Sequence, residues 1–248
     1  MPGLPRVSFD RIAHCYDETR TLPAPQMDAI MDALVDALSA CDRVLEVGVG
    51  TGRFGVPLQQ RGIRLVGLDI APGMIARGRE KGLRDVLLGD ALTLPFRNAA
   101  FDAALSVHVL HLLPDWRVAL AEFARVARDS YYTVATTWKN GRSPHRVYWD
   151  FIQASGYGRP RQGVFERDLP DHVPPRERTP IGTFSEEREA TDALDALANR
   201  VYSGQWNIPE DFHREAVRAA RRAFPEGTLH FEKTVDLLRW DARDLRSR

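Results

Sequence analysis

The sequence predicts a doubly wound α/β fold, and three observations carry that prediction. Short β-rich runs alternate with helical patterns as far as about residue 155. A glycine-spaced turn, Gly48-Val49-Gly50-Thr51-Gly52, directly follows the first run. A carboxylate, Asp69, closes the second run 21 residues after Gly48. A strand, a glycine turn, a helix and a second strand ending in an acid make up half of a nucleotide-type site in the order such sites are built.

The elements follow in turn. Residues 26–40 read as an amphipathic helix, because Met27, Ile30, Met31, Leu34, Val35 and Leu38 recur at helical spacing. Runs 43–47 and 64–69 are strands, with a helix over 53–61 between them. A helix over 74–81 follows Pro72, which suits a first-turn position. Strands are predicted at 86–88, 101–107 and 131–137, with a helix over 115–128. The texture then changes. Residues 156–180 are rich in Pro, Gly and Arg, with one extended candidate at 164–169 and a basic run, Arg159-Pro160-Arg161, that reads as a solvated loop. Helices over roughly 185–202 and 209–223 precede a final strand at 229–239. The organisation expected is a single domain over 1–248: an N-terminal helical cap (1–40), a strand-and-helix core (41–155), a loop and helical segment (156–226) and the final strand (227–248).

Composition narrows the function. Of 248 residues, 44% are hydrophobic, and 34 Lys+Arg balance 34 Asp+Glu. A nucleic-acid partner is unlikely on that balance, because such proteins carry a basic excess or stripe. Cys15 and Cys41 have neither zinc spacing nor a disulfide framework, so no metal is expected and a reducing cytoplasm fits. The first six residues lack the apolar core of a signal peptide, and no run is long and apolar enough to span a bilayer.

The residues around the turn discriminate between ligands. A dinucleotide site needs a small third residue, and Arg53 stands at that position. Glu46, two residues before Gly48, would repel a pyrophosphate but suits a cationic group. S-adenosylmethionine carries an ammonium and a sulfonium, so it becomes the expected cofactor, with Gly48, Gly50 and Gly52 bringing backbone N–H groups close to it. Asp69 is expected to accept from the ribose hydroxyls. Asp90 and the backbone of Ala91 are placed to read an adenine, with Ile70 and Met74 on its face.

Read together, Tyr16-Asp17, Leu45 to Gly52, Gly67 to Met74, Gly89 to Phe96, Phe101-Asp102 and His108 to His111 resemble class I S-adenosylmethionine-dependent methyltransferases of the ubiquinone/menaquinone-biosynthesis-like group. The resemblance runs from about residue 9 to 137. It implies a Rossmann-like, mostly parallel seven-stranded sheet with its last strand antiparallel and a helical lid between the late strands. It also implies that Tyr16 reaches the cofactor's carboxylate end and that Ser106 to His108 lies beside the sulfonium. One departure is visible: Arg128-Asp129-Ser130 replaces the Pro-Gly-Gly turn common before the fifth strand.

The activity this implies is methyl transfer to a small organic acceptor, such as a quinone precursor or secondary metabolite, leaving S-adenosylhomocysteine. His108 is the candidate general base, His111 a substrate contact, and Trp206 a pocket or hinge residue of the acceptor lid. The alternatives are a tRNA- or protein-directed methyltransferase, a non-catalytic S-adenosylmethionine-binding protein, and an NAD(P)-dependent oxidoreductase. The oligomeric state is left open.

Overall fold

The computed structural model describes residues 8–139, 142–157 and 163–246. The first six residues and the Arg159–Arg161 run lie outside the described residues.

A short helix, Tyr16–Thr19 (α1), precedes Ala24–Leu38 (α2), whose buried Ile30, Met31, Leu34 and Leu38 recur every third or fourth residue and define its apolar face. Strand and helix then alternate. β1 is Val44–Val47, α3 Gly55–Gln60, β2 Leu65–Asp69, α4 Pro72–Glu80 and β3 Val86–Leu88. β4 is Phe101–Ser106, α5 Trp116–Val126 and β5 Ala127–Trp138. α6 (Pro144–Ala154), β6 (Glu177–Glu189), α7 (Ala190–Ala198), α8 (Glu210–Ala223), β7 (Thr228–Asp241) and α9 (Ala242–Leu245) complete the order.

The seven strands form one sheet in the order β3-β2-β1-β4-β5-β7-β6. Strands β1 to β5 pair in parallel, and β7 runs antiparallel to its neighbours. Chain order reverses between β1 and β4, which makes their carboxyl ends the topological switch point where open α/β sheets bind ligands. The sheet predicted from the sequence is therefore present, with two helices following β6 in the chain before β7.

Three local expectations change. Residues 164–169 turn rather than extend, and the extended segment lies later, at Glu177–Glu189. That strand occupies the start of the helix predicted over 185–202, so α7 begins only at Ala190. Arg128-Asp129-Ser130 lies inside β5, where the register slips: Phe101 pairs with Ala127, but Ala103 pairs with Ser130. A β-bulge stands there, between the predicted helix end at 128 and strand start at 131, and Arg128 closes it by donating to Asp102 at 2.6 Å.

The chain resolves into two compact units. The first comprises Met1–Thr136, Gln162–Gly182 and Val235–Arg248, and the second Thr137–Arg161 and Thr183–Thr234. The boundaries fall within β5, β6 and β7. In the first unit Leu45, Val47, Phe101, Ala104, Leu120, Phe123, Tyr131 and Trp240 share one core. Trp240 is fully enclosed, and its indole N–H is satisfied by the Val173 carbonyl at 2.9 Å. In the second unit Tyr148, Trp149 and Ile152 of α6 pack with Leu194 and Leu197 of α7 and Ala216, Val217 and Ala220 of α8. Its buried polar groups are paired: Tyr148 Oη meets His213 Nδ1 at 2.9 Å, and Gln205 Nε2 donates to the Leu197 carbonyl. Among the described residues, no helix is long and apolar enough to cross a membrane, and no three His, Cys, Asp or Glu are grouped to hold a metal ion.

Candidate functional site

The site belongs to the first unit and begins at the end of β1. Gly48, Gly50 and Gly52 all have left-handed φ, at +74°, +57° and +73°. L side chains pay heavily to adopt that region, so a glycine turn is what the backbone requires here. Gly48 answers a second demand as well, because a methyl group on it would collide with Val109, the second residue after Val107 on the chain leaving β4. The bare backbone lets the β1 and β4 ends close on each other.

Asp69 ties that loop to β2. Its Oδ2 accepts from Gly50 N at 2.8 Å and its Oδ1 from Ala71 N at 2.9 Å. Burial pushes its carboxyl above the usual range, and the backbone hydrogen bonds from Ala71, Gly50 and Ile70 oppose that shift. Each oxygen holds one backbone donor and keeps further acceptor capacity for hydroxyls. Beside it, Ile70 leaves its apolar side chain open at 37% exposure, as a face for a flat apolar ring would be.

Glu46 is the unusual group. It is almost completely buried within β1, between Gly67 of β2 and Leu105 of β4, and its Oε2 has no hydrogen-bond partner. Burial raises its carboxyl to about 8; Arg53 opposes the shift and Asp69 adds to it. A buried acceptor left unsatisfied costs about 1–3 kcal/mol. A cationic donor from a ligand is the partner this carboxyl lacks and would draw it into its ionised form, which is the fit expected of an α-ammonium.

The N-terminal segment covers the loop. Asp17 accepts from Thr51 Oγ1 at 2.6 Å and from Lys81 Nζ at 2.9 Å. Burial pushes its carboxyl up, but Thr51, Lys81 and Arg77 hold it below the ordinary value. Asp10 accepts from Gly73 N, at the start of α4. Tyr16 and Phe9 pack with Ala13, Ala71 and Met74. Met74 is thereby buried against this segment, its methyl close over Gly50. Arg53 donates to the Arg20 carbonyl at 2.7 Å, so the residue that displaces a dinucleotide pattern also fastens the cap.

The chain beyond β4 forms the other wall. Ser106 is enclosed, with its hydroxyl paired to Tyr131 Oη at 2.8 Å and its carbonyl accepting from Thr133. His108 has a left-handed φ of +60° and is exposed, with Glu166, Arg53, His111 and Arg20 among its surroundings. Those surroundings hold its imidazole down at about 4, with Glu166 opposing and Arg53, His111 and Arg20 reinforcing the shift. His111 lies one turn on, its ring 6.5 Å from that of His108. Asp90 folds into an Asx turn, accepting from Leu92 N at 3.0 Å, with Ala91 nearly buried beside it. Glu46, the three glycines, Asp69, Ile70, Met74, Tyr16 and His108 thus gather around the β1, β2 and β4 ends. Trp206 belongs to the second unit, where its indole N–H donates to the Arg200 carbonyl at 2.9 Å.

Residues 45–133 match the family described as a methyltransferase domain. Over those residues the core is similar to a methyltransferase domain. A malonyl-acyl-carrier-protein O-methyltransferase of Serratia marcescens is 33% identical over 135 residues, covering 54% of this chain and 52% of that protein. A demethylmenaquinone methyltransferase of Renibacterium salmoninarum is 36% identical over 150 residues, covering 58% and 63%. The matches thus span between about half and under two thirds of these relatives' length. Among solved structures, an S-adenosylmethionine-dependent methyltransferase of Thermotoga maritima, titled a possible histamine N-methyltransferase, superposes with a TM-score of 0.53 at 20% identity, over 92% of this chain and 97% of that one. The 4+2 cyclase SpnF gives 0.54 at 15% identity, over 94% and 93%. At such identities the likeness establishes the fold alone and not the reaction.

Sequence reading missed one group of the site. Glu166 is buried, and its Oε1 accepts from Val109 N at 2.8 Å and Leu110 N at 3.2 Å. It lies 56 residues beyond Leu110, in the segment misread as extended. No motif marks it; the one local signal was an acid set among apolar Val164, Phe165 and Leu169.

Proposed function

We propose that the protein transfers a methyl group from S-adenosylmethionine to a small organic acceptor, of the quinone-precursor or secondary-metabolite kind, leaving S-adenosylhomocysteine. The observation that carries this reading is the orphaned, buried carboxylate of Glu46 beneath three left-handed glycines. It fits a ligand with a positive charge and would reject a pyrophosphate. Glu46 holds the ligand's ammonium, the glycine backbone lies along its chain, and Asp69 accepts from its ribose hydroxyls. Ile70, Met74, Asp90 and Ala91 bound its adenine, Tyr16 closes its carboxylate end, and Ser106 fixes the β4 end from which the second wall departs. When bound, S-adenosylmethionine supplies an electrophilic methyl on a sulfonium. What the chain then contributes is alignment of an acceptor with that methyl and exclusion of water, which supply much of the acceleration in an in-line displacement. His108, neutral near pH 7, lines the cleft as an uncharged contact or proton acceptor.

On this reading the whole chain works as one methyltransferase in the cytoplasm. His111 serves as an acceptor contact, residues 156–226 supply the elaboration that sets acceptor choice, and nucleic acid is not a partner. Two measurements test it. Parallel calorimetric titration with S-adenosylmethionine and NADH should show binding of the first alone, and tighter NADH binding would overturn the assignment. Incubation with isotope-labelled S-adenosylmethionine and a metabolite extract should then place label in a small molecule. Binding without any labelled product would leave a cofactor-binding protein in place of an enzyme.

A further inference from the structure

His111 is a further orphaned group of the first unit, beside Glu46 and Gln26. Its Nδ1 is shut off from solvent without a hydrogen-bond partner, and it stands 3.6 Å from Glu166 Oε2. Glu166 cannot drift away, because its other oxygen is fixed by the Val109 and Leu110 N–H groups. The segment bearing it is fixed too: a methyl group on Gly163 would strike the carbonyls of Leu110 and Leu113, so backbone lies directly on backbone there. Phe165 stacks on the His111 ring at 5.2 Å and 12°. Burial drives the Glu166 carboxyl up, yet its surroundings hold it below the ordinary value, and its Oε1 accepts from two backbone N–H groups, as a carboxylate does.

A carboxylate facing Nδ1 selects one imidazole tautomer. With the proton on Nδ1 and directed at Glu166, Nε2 carries the lone pair. The His111 side chain is 23% exposed, so a face of the ring is reachable from solvent. Its chain position matters as well, because Val109, two residues earlier, is the residue packed on Gly48. The pair is therefore built onto the same turn that closes the cofactor loop. His108 is less suited to proton removal, because a base held at about 4 is poorly matched to that step near pH 7.

We propose that His111, oriented by Glu166, takes the proton from the methyl acceptor, and that the acceptor is a weakly acidic hydroxyl on an unsaturated carbon, a phenol or enol. The proposal rests on the methyltransferase reading above. In the step, the acceptor oxygen's electron pair forms the new O–CH3 bond while the S–CH3 bond breaks and its pair stays on sulfur as the thioether. The acceptor proton passes to His111 Nε2. The resulting imidazolium faces the Glu166 carboxylate and returns the proton to solvent. Glu166 is a positioning residue, and His111 is the catalytic one.

Glu166→Gln is the deciding variant. It keeps an acceptor oxygen for Val109 and Leu110 but presents an N–H donor to Nδ1, which reverses the tautomer. Nitrogen-15 NMR of the free protein should find the proton on His111 Nδ1 in the wild type and on Nε2 in Glu166→Gln. With catechol- and enol-type acceptors, kcat should fall at least about 100-fold with little change in acceptor KM, as expected when a base is held in the wrong tautomer. His111→Gln should lose as much, and the double variant no more than either alone. Calorimetry should find S-adenosylmethionine affinity unchanged in all three. A wild-type His111 protonated on Nε2, or Glu166→Gln turning over at the wild-type rate, would overturn the dyad. Failure of wild-type protein to bind S-adenosylmethionine would sink the methyltransferase reading instead, while the NMR measurement still decides the dyad's geometry.

Discussion

Glu46 makes the strongest claim at the scale of single residues, because its cost falls on the empty protein. Its carboxyl sits at about 8 in the fold against 4.5 ordinarily. For an acid raised in this way, the folded state is fully stable below 4.5 and loses stability as pH rises through about 8. Thermal unfolding of the free protein should therefore weaken across that window, and Glu46→Gln should abolish the decline. The same variant should weaken S-adenosylmethionine binding by about 10–100-fold, the worth of one charge-assisted hydrogen bond. His108 acts from the other side. Its imidazole is depressed from 6.5 to about 4, so stability is present above 6.5 and is lost as pH falls through that interval. His108→Asn should flatten the acid limb, read by the same unfolding experiment. Glu46 and Asp69 could be found from the sequence because fixed spacing within one strand-turn-helix unit decides where they point. Glu166 could not, because its partners Val109 and Leu110 come from a different stretch of chain and meet it only through the fold.

Among the elements, the glycine turn offers a controlled comparison. Gly48 and Gly62 both have left-handed φ, but a methyl at Gly48 meets Val109 while one at Gly62 meets nothing within 4 Å. Gly62→Ala should cost about 1–2 kcal/mol, for backbone strain alone. Gly48→Ala should cost a further 1–3 kcal/mol or so, for overpacking, and should also loosen cofactor binding. Chemical denaturation of the two variants isolates the packing contribution. Strands β1, β2 and β4 were legible because buried parallel strands are continuous apolar runs punctuated by glycine. β6 was not, and its burial explains why: along Glu177–Glu189 exposed and half-buried residues alternate, with none fully buried. A strand with so little to bury has no period-two apolar signature, and its Ser185-Glu186-Glu187-Arg188-Glu189 end reads as the start of a helix.

For the molecule as a whole, two separate cores imply two separable stabilities. Tyr148→Phe leaves His213 Nδ1 without its buried partner and should cost the second unit about 1–3 kcal/mol. Hydrogen exchange should then quicken in α6, α7 and α8, while protection in β1, β2 and β4 stays as in the wild type. Saturating S-adenosylmethionine should do the reverse, slowing exchange in the first unit, because a ligand stabilises what it binds. Equal quickening in both units would show that the cores unfold as one. This division was not readable from the chain, since each unit is assembled from discontinuous segments whose boundaries fall inside β5, β6 and β7 rather than in linkers. The sheet order carries a last consequence, for solubility. β6 ends the sheet with 13 residues of strand, long enough to template pairing with a second chain. Pro180 removes one backbone donor from that strand, and Glu177, Arg178, Glu186, Glu187, Arg188 and Glu189 crowd its ends with charge. The same lack of apolar pattern that hid this strand from sequence reading makes it a poor seed for aggregation.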